Sequence, residues 1–516
     1  MTRVAVVGAG PAGLAAASAA LRAGAEVTLL DAAAATGGQY WRHLPPSRPA
    51  AREARLHQGW RDFTMLSRAV ARHPRATVIA GAQVWAVEPC AFGDRAPTLQ
   101  YAVGDADGSD RDVRTLSPDA LVLATGAHDL TLPFPGWDLP GVFTGGAAQA
   151  LAKSERVAVG ERVVVAGAGP FLLPVAASLL SAGAEVAGVF EASPAGTLAA
   201  GWASGAASVA AMPHKLGELA GYVVGQLRGR VPYRAGAGVI AAHGIDRVEA
   251  VTVAALDADW RPIPGTERVI ACDAVAVSHG FTPRLELAIA AGCALADDFD
   301  KLNPAGLDGL DPAHFDGLNP AGLDRLNPAE PAAPRPWSRF VAVDDDQRTS
   351  VPRVFAAGEV TGIAGADAAL REGGLAGWLA AGGDPGDRRV AAARRRIARY
   401  RGFARALDAA HGIRPGWTDW LTRETTVCRC EELSYGRLTD VLEATGSRSI
   451  RALKLATRAG LGPCQGRICG RTVESIAAAR NGAPLDGVVI DRRPIAAPIR
   501  FSELARLPHP EERHEP

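Results

Sequence analysis

The chain has 516 residues, and its 55 basic residues balance 55 acidic ones to a formal net charge of +0. That balance gives no whole-protein attraction to nucleic acid or to an anionic membrane surface, so no nucleic-acid partner is expected. Apolar residues make up 48% and charged residues 21%, ordinary for a soluble globular protein, and the length suits roughly two to four domains. The first apolar run, Arg3-Val4-Ala5-Val6-Val7, lacks the charged lead and cleavage site of a signal peptide. Later apolar stretches are too short and broken for a membrane span. Seven cysteines, an odd number with four clustered near the end, argue against a disulfide framework and for a reducing, cytoplasmic setting. The scattered Cys90, Cys272 and Cys293 read as buried small hydrophobes.

A strand over Val4–Val7, a glycine-rich turn, a helix over about Pro11–Ala23 and a strand over Glu26–Asp31 form a βαβ opening. The turn is Gly8-Ala9-Gly10-Pro11-Ala12-Gly13. In such a turn the first glycine permits the sharp bend, the second lets backbone approach a pyrophosphate, and the third lets helix and strand pack closely. Pro11 suits the first helical position, and the helix N-terminus offers partial positive charge to phosphates. Asp31 stands where a carboxylate accepts hydrogen bonds from a ribose. Thr36-Gly37-Gly38-Gln39 follows, with two glycines that allow backbone to lie close to a bulky ring system.

Short strands are expected near Thr77–Ile79 and Val84–Val87, and a buried strand from Asp119 to the turn Ala124-Thr125-Gly126. The segment from Val351 reads as a strand ending in Ala357-Gly358-Glu359, with a helix near Ala366–Ala380. These two strand-end turns meet one crevice if the nucleotide domain is split around an insertion. Gly38, Gln39, Val84, Thr125, Gly126, Gly358 and Glu359 therefore complete the candidate cofactor-binding set with Gly8, Gly10, Pro11, Ala12, Gly13 and Asp31.

A second βαβ opening has strands at Arg162–Ala166 and Glu185–Phe190 around a helix from about Pro170 to Ala182. Strands near Val248–Ala254 and Ala274–Ser278 close it. Its turn, Gly167-Ala168-Gly169-Pro170-Phe171-Leu172, keeps two of three glycines; Leu172 stands in place of the third. Glu191 ends the second strand and suits a ribose better than a 2′-phosphate. NAD(H), another adenine nucleotide, or a retained scaffold that binds nothing all remain open here. His279 reads as a structural histidine, and no constellation of acid, base or nucleophile identifies a catalytic residue.

Residues from about Asn303 to Glu330 repeat an eight-residue unit (LNPAGLDG, LDPAHFDG, LNPAGLDR, LNPAEPAA), expected to be a turn-rich surface loop. Gly382–Asp387 is a hinge. Arg388–Ala409 is a basic helix, read as a solvated linker, with a docking face for an acidic partner as the functional alternative.

Cys428 and Cys430 form a C-x-C pair, and Cys464 and Cys469 a C-x4-C pair. Four thiolates hold either a [2Fe–2S] cluster or one zinc ion. The C-x-C spacing is awkward for a zinc knuckle and favours the cluster. Gly462, Gly466 and Gly470 let backbone wrap and turn N–H groups toward sulfur. Arg429, Arg467 and Arg471 are placed to offset the charge of a thiolate-bound cluster.

Residues 1–385 resemble the two-dinucleotide-binding-domain flavoproteins, the group of glutathione and thioredoxin reductases. The resemblance implies an α/β fold with two Rossmann-like domains of three-layer ββα type and FAD at the first site. Members of that group carry an Asp at the terminal turn, contacting the flavin ribityl chain; Glu359 is one methylene longer. Residues 1–385 lack the Cys pair of the group's disulfide reductases, so disulfide reduction is not expected.

The segment from Cys428 to about Asn481 resembles the bacterioferritin-associated-ferredoxin (BFD) type of [2Fe–2S] domain, a small helical unit whose second pair is usually C-x2-C. The form CQGRxC resembles the large subunits of opine oxidases, hydroxyproline dehydrogenases and hydrogen cyanide synthases. So do GGQYWR (Gly37–Arg42), ATGAHDLTLPFPGWDLPGVFTGGAAQ (Ala124–Gln149) and VSHGFTP (Val277–Pro283). This resemblance implies one subunit of a heteromeric amine dehydrogenase. A D-amino-acid-oxidase-like flavoprotein partner would oxidise a secondary amine or amino acid, and FMN sits at a subunit interface in some relatives. The expected layout is a FAD-binding domain at 1–145 and 284–385, an NAD(P)-binding-like domain at 146–283, a helical linker at 386–421, the BFD-like domain at 422–482 and a tail at 483–516. A self-sufficient NADH-dependent reductase and a non-catalytic scaffold subunit stand as alternatives.

Overall fold

The computed structural model describes residues 1–45, 47–48, 53–89, 95–105, 108, 111–215, 217–218, 221–222, 229–296, 339–483, 485, 490–493 and 495–506. The octapeptide segment and Cys90 lie outside the described residues. The strand Arg3–Val7 is buried along Val4–Val7, as a central parallel strand must be. It pairs in parallel with Glu26–Asp31 and Ala120–Leu123, and Ala76–Ala80 and Val354–Ala356 complete a five-stranded sheet. This sheet thus takes its edge strand from far along the chain.

Helices Pro11–Arg22 and Ala366–Ala380 pack almost backbone to backbone. A Cβ on Gly373 would stand 2.0 Å from the Ala12 carbonyl oxygen, and one on Gly377 2.0 Å from that of Ala16. The alanine-rich first helix is short-sided for this seam. The antiparallel strands Ala82–Glu88, Thr98–Val103 and Asp112–Leu116 cover the sheet's other face, where Val84, Leu99 and Tyr101 pack on Ala5, Val7 and Leu121. The second and third of these strands give no clear signal in the sequence, because Gln100, Arg114 and Thr115 interrupt their apolar pattern.

The same plan recurs. A second five-stranded parallel sheet holds Arg162–Gly167 and Glu185–Glu191 at its centre, with a three-stranded antiparallel sheet of Ala237–His243, Ala250–Ala255 and Arg268–Ala271. Val142–Thr144 pairs with Ala274–Ser278 at its edge, ahead of residue 146. The helix expected from Pro170 starts at Leu172, since Gly169 (φ +101°) prolongs the turn.

The linker helix spans Arg388–His411 and is capped by Asp387, which accepts the Arg389 N–H at 2.7 Å. It is seated rather than solvated all round. A Cβ on Gly201 would stand 2.4 Å from Ala410 Cα, so this helix lies against Ala195–Ser204 through a small-residue seam. Arg394 pairs with Asp346 at 2.5 Å.

The final unit has a strand pair, Thr426–Cys428 with Leu433–Ser434, and helices Tyr435–Thr445, Ile450–Thr457 and Gly470–Asn481. Its apolar core runs without a break into Leu132, Leu256, Trp260, Trp417 and Trp420. Part of the tail returns to the first unit: Ala496 N–H donates to the Trp85 carbonyl at 2.7 Å, and the Arg111 guanidinium grips Glu503 at 2.6 Å, both buried. Among the described residues no helix is long and apolar enough to cross a membrane.

Candidate functional site

The first glycine loop is built by steric necessity at two of its three glycines. Gly8 has φ +103°, and a Cβ there would stand 2.2 Å from the Ala124 carbonyl oxygen. A Cβ on Gly13 would stand 1.7 Å from the Gly8 carbonyl oxygen. Gly10 differs: an added Cβ meets only Gly38 Cα, at 3.9 Å. That space, at the N-terminus of a helix opening with Pro11, suits the diphosphate of a dinucleotide. Gly38 (φ +59°) is needed because a Cβ on it would stand 2.8 Å from Gly10 Cα. Gly37 serves packing against Trp41 and Phe63 rather than ring approach.

Asp31 does more than wait for a ribose. Its carboxylate accepts the Ala9 N–H at 2.5 Å and the Ala33 N–H at 2.7 Å, so it braces the loop. Burial raises its pKa, while these bonds and the nearby charges of Arg42 and Arg284 oppose the rise. Val84 is buried in the core below. Thr125 Oγ1 donates to the Arg284 carbonyl at 2.8 Å, and Gly126 (φ +69°) has open space where a Cβ would stand.

The terminal turn, Gly358 to Thr361, lies beside this loop; a Cβ on Gly358 would stand 2.9 Å from Ala12 Cβ. Its anchor is Glu372, unforeseen from the sequence. The buried Glu372 Oε2 accepts the Gly358 N–H at 2.9 Å and the Thr361 hydroxyl at 3.1 Å. The available signal was an acid in the buried helical stripe Ala369-Glu372-Gly373-Ala376.

Gln39 and Glu359 both line a cleft of about 2180 Å³ that also meets His128, Asp129, Arg284 and Gly169. Glu359 is half-buried there. Burial pushes its carboxyl up to about 7, and the neighbouring charge of Asp129 adds to the rise. Asp129 is held by Thr144 Oγ1 at 2.8 Å, Gly146 N–H at 2.9 Å and Ser278 Oγ at 3.3 Å. His279 is structural as expected: Nδ1 accepts the Leu132 N–H at 3.3 Å, and burial lowers its pKa to about 3.

The second glycine loop touches the same cleft, but its acid is roofed. Glu191 is 0% exposed; it accepts the Gly169 N–H at 2.8 Å and the Ser193 N–H at 3.0 Å. His411, the last residue of the linker helix, stands 3.2 Å from Glu191 Oε2 through Nδ1. The carboxylate expected to reach for a ribose is therefore enclosed by protein, and Leu172 is buried where a third glycine would let helix and strand pack closely.

The four C-terminal cysteines come together. Their sulfurs form a hydrogen-bonded thread, Cys428 to Cys469, Cys469 to Cys464 and Cys464 to Cys430. Backbone N–H groups of Gly460, Glu431 and Cys430 point at the Cys428 sulfur, and those of Ile468 and Gly466 at Cys464. With the bond from Cys469 as the largest cause, Cys428 falls to about 6 and Cys464 to about 4. Cys469, which lies beside both, is pushed up. Among the described residues no group of three or more His, Cys, Asp or Glu side chains is already arranged as a cage for one ion; Cys430 lies exposed at the outer end of the thread. Four sulfurs with N–H donors that favour thiolate fit a thiolate-held iron–sulfur cluster.

Gly466 (φ +78°) supplies one of those N–H groups, and a Cβ on Gly462 would stand 2.3 Å from Cys430 Cβ. Gly470 instead makes room for Ile490, 2.4 Å from its would-be Cβ. The expected counter-charges are committed elsewhere. Arg467 pairs with Glu286 at 3.0 Å, Arg471 with Asp491, and Arg429 lies over the Trp137 ring at 5.0 Å. Backbone dipoles, more than arginine charges, favour the thiolates.

Residues 2–301 match the family described as pyridine nucleotide-disulphide oxidoreductase, and residues 426–479 match the BFD-like [2Fe-2S] binding domain. The chain is similar to an opine oxidase subunit of Rhizobium meliloti, 31% identical over 98% of this chain and 88% of the relative. It is also similar to hydrogen cyanide synthase subunit HcnB of Pseudomonas aeruginosa, 31% identical over 90% of this chain and 90% of the relative. Among solved structures, L-proline dehydrogenase from P.horikoshii shares the fold with a TM-score of 0.63 at 17% identity, covering 98% of this chain and 79% of that one. The expected architecture, Rossmann-like units followed by a BFD-like [2Fe–2S] domain, is met.

Proposed function

Because this chain belongs to the pyridine nucleotide-disulphide oxidoreductase family, beside subunits of opine oxidase and hydrogen cyanide synthase, and carries a BFD-like [2Fe-2S] domain, we propose that it is the electron-relaying subunit of a heteromeric dehydrogenase acting on a secondary amine, an opine or an amino acid. One observation carries this reading. Gln39 and Glu359 of the first nucleotide unit line the same cleft as Ser475, Ala478 and Ala479 on the helix that follows Cys469. The unit that carries the four cysteines thereby borders the cleft of the first nucleotide unit through this helix, although no cysteine lines it.

FAD is the cofactor these residues suit at the first site. Gly8 to Gly13 would take its diphosphate, Asp31 its ribose, and Gly38, Gln39, Thr125 and Gly126 its approach into the cleft. Bound flavin accepts electron pairs and a [2Fe–2S] cluster carries single electrons, so the two together convert pair transfer to single transfer. The chain's own part is orientation and proton handling. Glu372 fixes the Gly358–Thr361 turn through its two hydrogen bonds. The Glu359 carboxyl, at about 7, takes up or releases a proton close to neutral pH in the cleft. Oxidation of the amine belongs to a partner subunit resembling D-amino-acid oxidase, with FMN at the boundary between subunits.

Glu191 under His411 speaks against the NADH-dependent reductase, and the thiolate-favouring N–H groups have no purpose in a scaffold subunit. The test is purification with native partners, followed by flavin extraction and iron and sulfide analysis. FAD with about two irons and two sulfides per chain is expected. Colourless protein holding zinc would overturn the reading.

A further inference from the structure

The cluster loop is two residues wider than the usual C-x2-C, and those residues are not slack. Arg493 donates to the Gln465 carbonyl from Nε at 3.0 Å and from Nη2 at 2.9 Å. Glu286 Oε1 accepts from Arg467 Nε at 3.0 Å and from Arg493 Nη1 at 2.7 Å. Glu286 opens a short helix whose Leu287 and Ala288 belong to the core of the first nucleotide unit. The wide loop is therefore clamped to that unit. A loop with two fewer residues cannot present both Gln465 and Arg467.

A second link reaches the cleft itself. His128 lies on strand Ala127–Asp129, directly after the Gly126 turn, and lines the cleft. Its Nε2 stands 3.0 Å from the Arg467 carbonyl oxygen. A carbonyl only accepts, so Nε2 carries the hydrogen and His128 donates. Burial, the largest influence on this ring, lowers its pKa and favours the neutral ring, while the bond to Arg467 opposes the shift; the neutral tautomer that makes this bond carries its hydrogen on Nε2. Nδ1 is then an acceptor, buried and without a partner among the described residues. On the far side of the bond, the Arg467 N–H donates to the Cys464 carbonyl at 3.1 Å.

We propose that the wide loop is the coupling element of the relay, and that His128, through Arg467 to Cys464, is the positioning residue that holds the cluster at a fixed path from the flavin cleft. This rests on the relay reading. Each crossing moves one electron: the flavin loses one, the cluster gains one, and no heavy-atom bond forms or breaks. A one-electron or quinone-type acceptor then takes that electron from the cluster, which returns to its oxidised state.

The experiment compares the full chain with His128→Phe, which keeps a ring but loses the donor, and His128→Gln, whose amide N–H can restore it. Under anaerobic conditions the bound flavin is photoreduced with EDTA as the electron donor, and recovery of oxidised flavin and the rise of the cluster's paramagnetic signal are followed together. Hydrogen exchange of residues 464–469 is measured on cofactor-free protein. His128→Phe is expected to keep its flavin and iron, to slow transfer roughly tenfold and to lose protection in the loop; His128→Gln recovers both. Wild-type transfer in His128→Phe, or equal slowing in both variants, would sink the bridge. Should His128→Phe not fold, Glu286→Gln slackens both arginines, and unchanged transfer there overturns the proposal equally. Absence of any flavin-to-cluster transfer in the unaltered chain refutes the relay reading instead.

Discussion

Replacing Gly10 by valine is expected to exclude FAD while sparing the fold. Gly10 has φ −74° and ψ −170°, a conformation open to any residue. The added Cβ meets only Gly38 Cα at 3.9 Å, an ordinary contact. Little in the chain resists the new side chain, so its effect on the flavin-free protein is within about 0.5 kcal/mol. The two methyl groups fill the space in which a diphosphate would approach the helix end. A hundredfold loss of FAD affinity, about 2.8 kcal/mol, is the least expected from closing that approach.

Gly13→Ala is the control with the opposite outcome. Its Cβ would stand 1.7 Å from a backbone oxygen, so the Pro11–Arg22 helix must move away from its strand. Overpacking of this kind costs about 1–3 kcal/mol or more. Melting must be compared on flavin-free protein, because a ligand at a hundredfold excess over Kd alone stabilises by about 2.7 kcal/mol. Flavin content after gel filtration, FAD titration by fluorescence quenching, and circular-dichroism melting supply the three readings. Full flavin content in Gly10→Val, or a flavin-free melting loss equal to that of Gly13→Ala, would refute the reasoning.

Cys464→Ser is expected to abolish the paramagnetic signal of the reduced cluster and lower iron content while leaving FAD bound; joint loss of both would show that the two stations fold as one. Anaerobic NADH is expected to leave the flavin oxidised, because His411 covers Glu191, a contact Asp31 of the first unit lacks among the described residues; rapid bleaching would refute this. Acid should loosen the tail: the Arg111 guanidinium holds Glu503 at about 2, below the ordinary 4.5. A depressed folded-state value gives stability that is complete above 4.5 and lost as pH falls toward 2, so tail proteolysis should begin in that window, and already at neutral pH in Arg111→Met. Tail cleavage independent of both acid and Arg111 would count against it.

The parts legible in the sequence were those set by neighbours in the chain. Gly13 is needed because Gly8, five residues earlier, lies against it, and the four cysteines announce themselves by spacing. What escaped depended on partners far away. Glu372 acquires its purpose only when its helix faces the Gly358 turn. Arg467 and Arg471 looked like counter-charges beside the cysteines, but Arg467 meets Glu286 181 positions away and Arg471 meets Asp491. His128 carried no local signal, since its partner Arg467 lies 339 positions along the chain. Asp31 was found for a sound reason, yet its bonds to Ala9 and Ala33 give it a loop-bracing task that strand position alone does not disclose.

The two nucleotide units share one plan and differ in one consequence. At Gly10 the first leaves space that no described part of the chain fills; the second is equally open at Gly169, but its acid, Glu191, is covered by His411 at the end of the linker helix. The same helix leads directly into the segment that seats the cluster domain. Soon after His411, Trp420 stacks on Trp260 at 6.3 Å and donates its Nε1–H to the Trp260 carbonyl at 2.9 Å. In the proposed relay, electrons enter at the cleft from another polypeptide rather than from a second bound dinucleotide.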